Sequence, residues 1–264
     1  MSSVRPPVAA GRFYPADANE LATTVDRLLA AAAPAPPEPE LRALVAPHAG
    51  YVYSGAVAAT AFAVLPPEVE ELRVALLGPS HFVPLRGVAV SGADAWRTPL
   101  GDVTVDRDLR AAAVAAGAVV DDLPHRDDHA LEVELPLLQR RAGRGLRLLP
   151  AAVGGDATDE AVLAQLASQA LVVVSTDLSH YHDDETARRL DRRTADAVLA
   201  LDVDAIGELD ACGAPALRSL VAHARRSGWR CSLLDLRTSA DAYGEVGRVV
   251  GYGAFAFFAA PGAT

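Results

Sequence analysis

Short apolar runs alternate with longer amphipathic stretches along most of the chain. Arg42–Ala46, Val74–Leu77, Val88–Ser91, Leu146–Val153, Leu171–Ser175, Cys231–Leu236 and Val249–Phe258 have the length and the Val/Leu content of strands. Between most of them, apolar residues recur at helical spacing. Helices are predicted over Glu20–Ala32, from Ser54 through Val64, from Asp106 through Ala116, and from His129 to about Arg141. Two more fit Asp184–Leu201 and Pro215–Ser227, and Thr158 opens another. Strands joined by helices pair most easily in parallel, so the pattern predicts an α/β sandwich with a largely parallel central sheet. Thr98-Pro99-Leu100-Gly101-Asp102 reads as the turn of a small antiparallel addition, and no repeat of fixed period is present.

The chain has 264 residues, near the upper limit for one hydrophobic core, and its 51% hydrophobic content supplies ample apolar surface. The only linker-like segment, Ala31–Glu40, lies too near the N-terminus to divide domains, so residues 1–264 are read as one domain. A net charge of −10 opposes binding to a nucleic-acid backbone. All basic residues are arginine, which excludes Schiff-base and P-loop lysines. The two cysteines, Cys212 and Cys231, form no CxxC pair, so neither a thiolate zinc site nor a disulfide framework is expected. They are read as a helix start and a buried strand residue. The opening MSSVRPPVAAGRFYP has no apolar stretch, and Ala111–Val120 is far shorter than the roughly 20 residues that cross a bilayer. The expectation is a cytoplasmic protein without a membrane partner.

Ligands of open α/β sheets bind outside the carboxyl ends of strands, and four predicted strands end in residues capable of chemistry. They run into Ala46-Pro47-His48, Gly78-Pro79-Ser80-His81, Ser175-Thr176-Asp177-Leu178-Ser179-His180 and Thr238-Ser239-Ala240-Asp241. His48 and His81 can converge on one metal ion, although spacing alone leaves turn or capping roles equally open. Asp177 and His180 stand three apart, which brings them together if a helical turn follows the strand; the aspartate would then orient an acid/base imidazole. In His125–Glu134, His129 and Glu132 would share a helix face behind the ligands, Asp127 or Asp128 would cap that helix, and His125 reads as solvated. Ser80, Ser175 and Ser179 lie near histidines, but their spacing does not separate a nucleophile from a backbone hydrogen-bonding residue. GxSxG, HExxH and Walker motifs are missing, and Gly251-Tyr252-Gly253 lacks the third glycine of a dinucleotide fingerprint.

Several longer motifs occur in order along nearly the whole chain. They are Arg5-Pro-Pro with Gly11-Arg-Phe-Tyr-Pro15, Ala46-Pro-His-Ala-Gly-Tyr51 with Tyr53-Ser-Gly55, Leu77-Gly-Pro-Ser-His81 and Trp96-Arg-Thr-Pro-Leu-Gly101. His129-Ala-Leu-Glu-Val-Glu-Leu-Pro136, Ser175-Thr-Asp-Leu-Ser-His-Tyr181 and Val250-Gly-Tyr252 complete the set. On these motifs the chain resembles the Memo family. The resemblance implies a three-layer α/β fold similar to class III extradiol dioxygenases, with a metal cleft at the strand ends. It implies His48 and His81 as metal ligands and Asp177 with His180 as the cleft pair, His180 being the acid/base. Some members carry a cysteine ligand where this chain has Ala242; others share its Ser-x-Asp, so Asp241 is the expected third ligand. An oxygen ligand favours Fe(II), with copper or zinc as alternatives. The implied activity is that of a non-haem iron oxidoreductase; the alternative is a metal, peptide or small-molecule binding protein without turnover. A Ser–His or metal-assisted hydrolase ranks third. The implied partners are a small-molecule or peptide ligand in the cleft and, as a three-component system, a radical-SAM protein and an AMMECR1-like protein.

Overall fold

A computed structural model describes residues 3–32, 41–67, 69, 71–155 and 160–260. The chain opens with β1 (Val4–Arg5), α1 (Ala18–Ala31), β2 (Leu41–Ala46), α2 (Tyr51–Phe62) and β3 (Leu72–Pro79). It continues through β4 (Gly87–Val90), β5 (Ala95–Thr98), β6 (Gly101–Val105), α3 (Arg107–Ala115), β7 (Val119–Val120), α4 (Leu135–Ala142) and β8 (Leu146–Gly154). The second half holds α5 (Glu160–Ala167), β9 (Leu171–Ser175), β10 (His180–His182), α6 (Asp184–Leu199) and α7 (Ala214–Arg226). β11 (Arg230–Thr238), α8 (Ala240–Tyr243) and β12 (Val249–Phe258) close it. The strand order is β1-β5-β6-β8-β3-β9-β2-β12-β10, with β11 on β12 and with β4 between β8 and β7.

The centre of the sheet, β6-β8-β3-β9-β2, is parallel throughout. Val74–Leu77, Val172–Val174 and Ala43–Ala46 are buried, as continuous apolar runs must be when helices cover both faces. Helices α1, α2 and α4 pack together, and α3, α5 and α7 form a second group, giving the three layers. β12 enters antiparallel to β2 and carries β11 on its other side. The turn at Thr98–Asp102 joins β5 to β6 as a hairpin, with Thr98 opposite Gly101. No helix among the described residues is long and apolar enough to cross a membrane.

Two helix starts differ from the pattern. α2 begins at Tyr51, with Gly50 at its N-cap, and the Ser54 hydroxyl donates to the Ala49 carbonyl from inside the helix. The helix expected from His129 begins only with a short 3₁₀ turn at Glu132–Glu134 that feeds α4. The local chemistry explains the delay: Asp128 Oδ1 accepts the Ala130 amide, which fixes a turn, and Pro136 suits a first helical turn rather than an interior. Most of the linker-like segment, residues 33–40, and the Thr158 helix start lie outside the described residues.

Candidate metal centre

Because β9 lies between β3 and β2, the carboxyl ends of three neighbouring parallel strands open side by side. Ala46 of β2 is in register with Ser175 of β9, so the chain leaves both strands at one level, into Pro47-His48 and Thr176-Asp177. β3 leaves through Ser80-His81 two strands from β2, a separation of roughly 10 Å that two side chains can close. The histidines do close it. The His48 and His81 ring centroids are 5.3 Å apart.

The third imidazole is His129. Its ring stacks on His81 at 5.1 Å and lies 5.6 Å from His48, and one ligand atom from each of the three rings falls within 4.8 Å of the others. Phe13 stacks on the outer face of His129 at 4.0 Å. The rings sit in a cleft of about 720 Å³, a volume suited to a small ligand. Burial holds His48 far below the ordinary imidazole range, with His81 and His129 adding to the effect. Burial likewise lowers His129 to about 4, against the pull of Asp128. Both rings are therefore neutral near pH 7, the form that binds metal.

The residues behind the rings fix their orientation. Asp128 accepts the His81 amide at 2.7 Å and faces His81 Nδ1 at 3.1 Å. Burial alone would raise Asp128, but the His81 ring and the amides of Ala130 and His81 hold it at about 2. His48 Nδ1 lies 2.8 Å from the Ser175 hydroxyl, which also reaches Glu134 Oε1 at 2.7 Å. On the other edge of the ring, Cys212 Sγ is 3.3 Å from His48 Nε2 and accepts the Asp177 amide at 3.2 Å. Gly213 lets this cysteine approach, because a Cβ there would stand 2.8 Å from Thr176 Cβ.

Four expected placements change. Asp241 stays out of the histidine cluster: its carboxylate binds Arg188 Nη2 and the Thr238 amide, each at 2.8 Å. Asp177 does not orient His180. No helical turn follows β9, and although both residues line the cleft, no hydrogen bond joins them among the described residues. Asp177 instead accepts the His48 amide at 2.8 Å, and burial pushes it up to about 7. His180 lines the same cleft, but its Nδ1 is held by the Leu178 carbonyl at 2.7 Å. Burial lowers its pKa too. Glu132 turns away from His129 into the N-terminal segment, where it accepts the Val8 and Ala9 amides, the Tyr14 hydroxyl and Arg5. Through that segment it holds Phe13 against His129. His125 is buried, not solvated; its Nε2 donates to the Ala89 carbonyl at 3.0 Å and its ring meets Trp96.

Sequence reasoning left His129 behind the ligands and Cys212 at a helix start. The charged run around residue 128 carried a signal for the first, since a carboxylate beside a histidine commonly orients imidazoles. Nothing in the spacing marked Cys212.

A model of the family described as Memo-like protein matches residues 5–256. The chain is 36% identical over 267 residues to a MEMO1 family protein of Methanosarcina acetivorans, covering 95% of this chain and 98% of the relative. It is 34% identical over 279 residues to a MEMO1 family protein of Methanopyrus kandleri, covering 96% and 98%. A MEMO1 family protein of Nitrosopumilus maritimus matches at 31% over 275 residues, 96% of this chain and 99% of the relative.

Proposed function

Since the chain belongs to the Memo-like family, we propose that it is a metal-binding protein with a dioxygenase-like cleft and oxidoreductase activity, its ion held by His48, His81 and His129. The observation that carries this reading is the group of three imidazoles, each offering a ligand atom within 4.8 Å of the others, beside a cleft large enough for a small ligand. The donor set fits. Imidazole suits iron, copper and zinc, and both His48 and His129 are neutral at working pH. Fe(II) is the proposed ion, with copper or zinc as alternatives on the same nitrogens. A bound redox-active ion would supply Lewis-acid activation of a chelating substrate and electron transfer to dioxygen.

The protein's own residues prepare the cleft. Asp128 and Ser175 hold the rings of His81 and His48, and Asp177 fixes the turn that carries His48 by binding its amide. His180 donates Nδ1–H to the Leu178 carbonyl, which leaves Nε2 as its basic atom. That atom would take a proton from a substrate hydroxyl and return it later in the cycle.

A second reading, ligand binding without turnover, is favoured by Asp241: paired with Arg188, it leaves the cluster without a carboxylate ligand. One experiment separates the readings. Protein purified without oxygen and without a chelating tag is expected to carry near-stoichiometric iron, which the His48→Ala, His81→Ala double variant loses. Oxygen uptake with catechols then supports the oxidoreductase, and bound metal without uptake supports the binding protein. Little metal in both samples after anaerobic Fe(II) reconstitution would sink the metal reading.

A further inference from the structure

His48 can bind an ion through Nε2 only if the ring proton sits on Nδ1, and a free imidazole exchanges between the two tautomers. The surroundings of the ring decide between them. Ser175 Oγ lies 2.8 Å from His48 Nδ1, 2.8 Å from the Ala130 carbonyl and 2.7 Å from Glu134 Oε1. A hydroxyl has one proton to give. The Ala130 carbonyl only accepts, and Ser175 is its buried partner. One arrangement gives the Ala130 carbonyl its donor and keeps the Glu134 contact: Ser175 donates to Ala130 and receives a hydrogen bond from the Glu134 carboxyl. In it the serine proton points away from the ring, so Nδ1 must carry a hydrogen and donate.

On the opposite edge of the ring Cys212 Sγ, already an acceptor for the Asp177 amide, contacts Nε2 at 3.3 Å, and its own thiol proton can go to that nitrogen or to the Asp177 carbonyl at 3.6 Å. Glu134 and Ser175 are both fully buried. Glu134 Oε2 has no hydrogen-bond partner among the described residues, a cost that a side chain serving only the packing would avoid by being apolar.

The geometry points to Ser175, anchored by Glu134, as the positioning residue that locks His48 in the Nδ1–H tautomer and presents a bare Nε2 to the cleft; the use of that nitrogen as a ligand rests on the metal reading above. The distance is built into the sheet, since Ser175 is paired in register with Ala46, two residues before His48. His81 receives the same service from a carboxylate, Asp128, whereas His48 receives it from a neutral hydroxyl.

The test reads the tautomer in metal-free protein. Long-range proton–nitrogen correlation spectra of ¹⁵N-histidine-labelled protein, with His48 assigned through His48→Gln, are expected to show Nδ1 protonated and Nε2 bare. Ser175→Ala is expected to give a mixture of tautomers and to weaken zinc binding about 10- to 100-fold. His81→Ala is the control that removes zinc binding and leaves the His48 tautomer unchanged. A native ring protonated at Nε2 overturns the inference, and so does Ser175→Ala with an unchanged tautomer and zinc affinity. Because the native spectrum decides by itself, the inference stays testable if Ser175→Ala fails to fold. No zinc binding in native protein, together with a tautomer that still depends on Ser175, removes the metal reading and leaves the positioning role standing.

Discussion

Asp128, which holds the His81 ring, and Asp177, which lines the cleft, are shifted in opposite directions. Asp128 is held at about 2 because a ring nitrogen and two amides converge on it, whereas Asp177 is pushed up to about 7 because the amides it accepts do not repay its burial. His125 shows the same arithmetic for a base. Burial lowers it to about 4 even though the Ala89 carbonyl favours its protonated form. Between pH 6.5 and 4 the unfolded chain binds a proton at this residue and the folded chain does not, so the sign is fixed: stability is full above about 6.5 and falls as pH falls toward 4. The residue contributes about 3 kcal/mol across that window. His48 and His129 add to the acid loss in the same direction, so a variant is needed to isolate His125. Denaturant unfolding of His125→Gln at pH 7.5 and at pH 4.5 is expected to lose less stability on acidification than native protein. An equal loss in both would assign the effect to other groups.

At the scale of elements, α3 shows how a helix start is joined to the sheet. Asp106 caps it through the Asp108 and Leu109 amides and also takes a two-point hydrogen bond from Arg73 at the start of β3. Burial would raise this carboxyl, but Arg73 and the two amides bring it below its ordinary value. Removing a cap costs about 1 kcal/mol, and an ion pair whose aspartate is buried but whose arginine still reaches solvent adds about another, so Asp106→Ala is expected to destabilise by about 2 kcal/mol. Thermal unfolding checks it. The loss should be larger at pH 7 than at pH 3, because a lowered carboxyl contributes only while it is ionised. Elements also explain His129. The pattern around it reads as one helix, yet the Asp128 turn and Pro136 delay the helix by three residues and free the ring to join His81.

At the scale of the whole molecule, the N-terminal segment is fastened across the sheet by one buried pair. Arg5 donates to the His125 and Asp128 carbonyls and to Glu132, and its guanidinium lies 4.1 Å from the Trp96 ring centre. Glu132 gathers the amides of Val8 and Ala9 and the hydroxyl of Tyr14 around the same point. Both side chains are almost wholly buried, so removing one charge strands the other. Glu132→Gln is expected to cost about 3 to 5 kcal/mol. It should also speed amide exchange over residues 8–14 more than elsewhere, and weaken metal binding as Phe13 loosens from His129. Hydrogen exchange and a zinc titration on the same sample check both effects. Uniform exchange along the chain would argue against a local fastening.

Periodicity carried the sandwich, the parallel centre of the sheet and the hairpin at Thr98, because each needs only residues close in sequence and the sense of their burial. It also carried His48 and His81, since a polar residue directly after an apolar strand lies at the sheet's carboxyl edge whatever the strand order. The order itself was not legible. That β9 falls between β2 and β3 is decided by pairing across more than 90 residues, and this pairing sets Ser175 against His48 and Asp177 beneath its amide. His129 and Cys212 reach the cleft from loops whose paths depend on Asp128, Glu132 and Gly213 meeting partners far along the chain. Asp241 was misplaced for the same reason: sequence put it beside a strand end, but only the packed structure brings Arg188 there to claim its charge. Local pattern fixes which residues can stand at an edge. Long-range packing decides which of them meet, because a contact between distant residues depends on every element that lies between them.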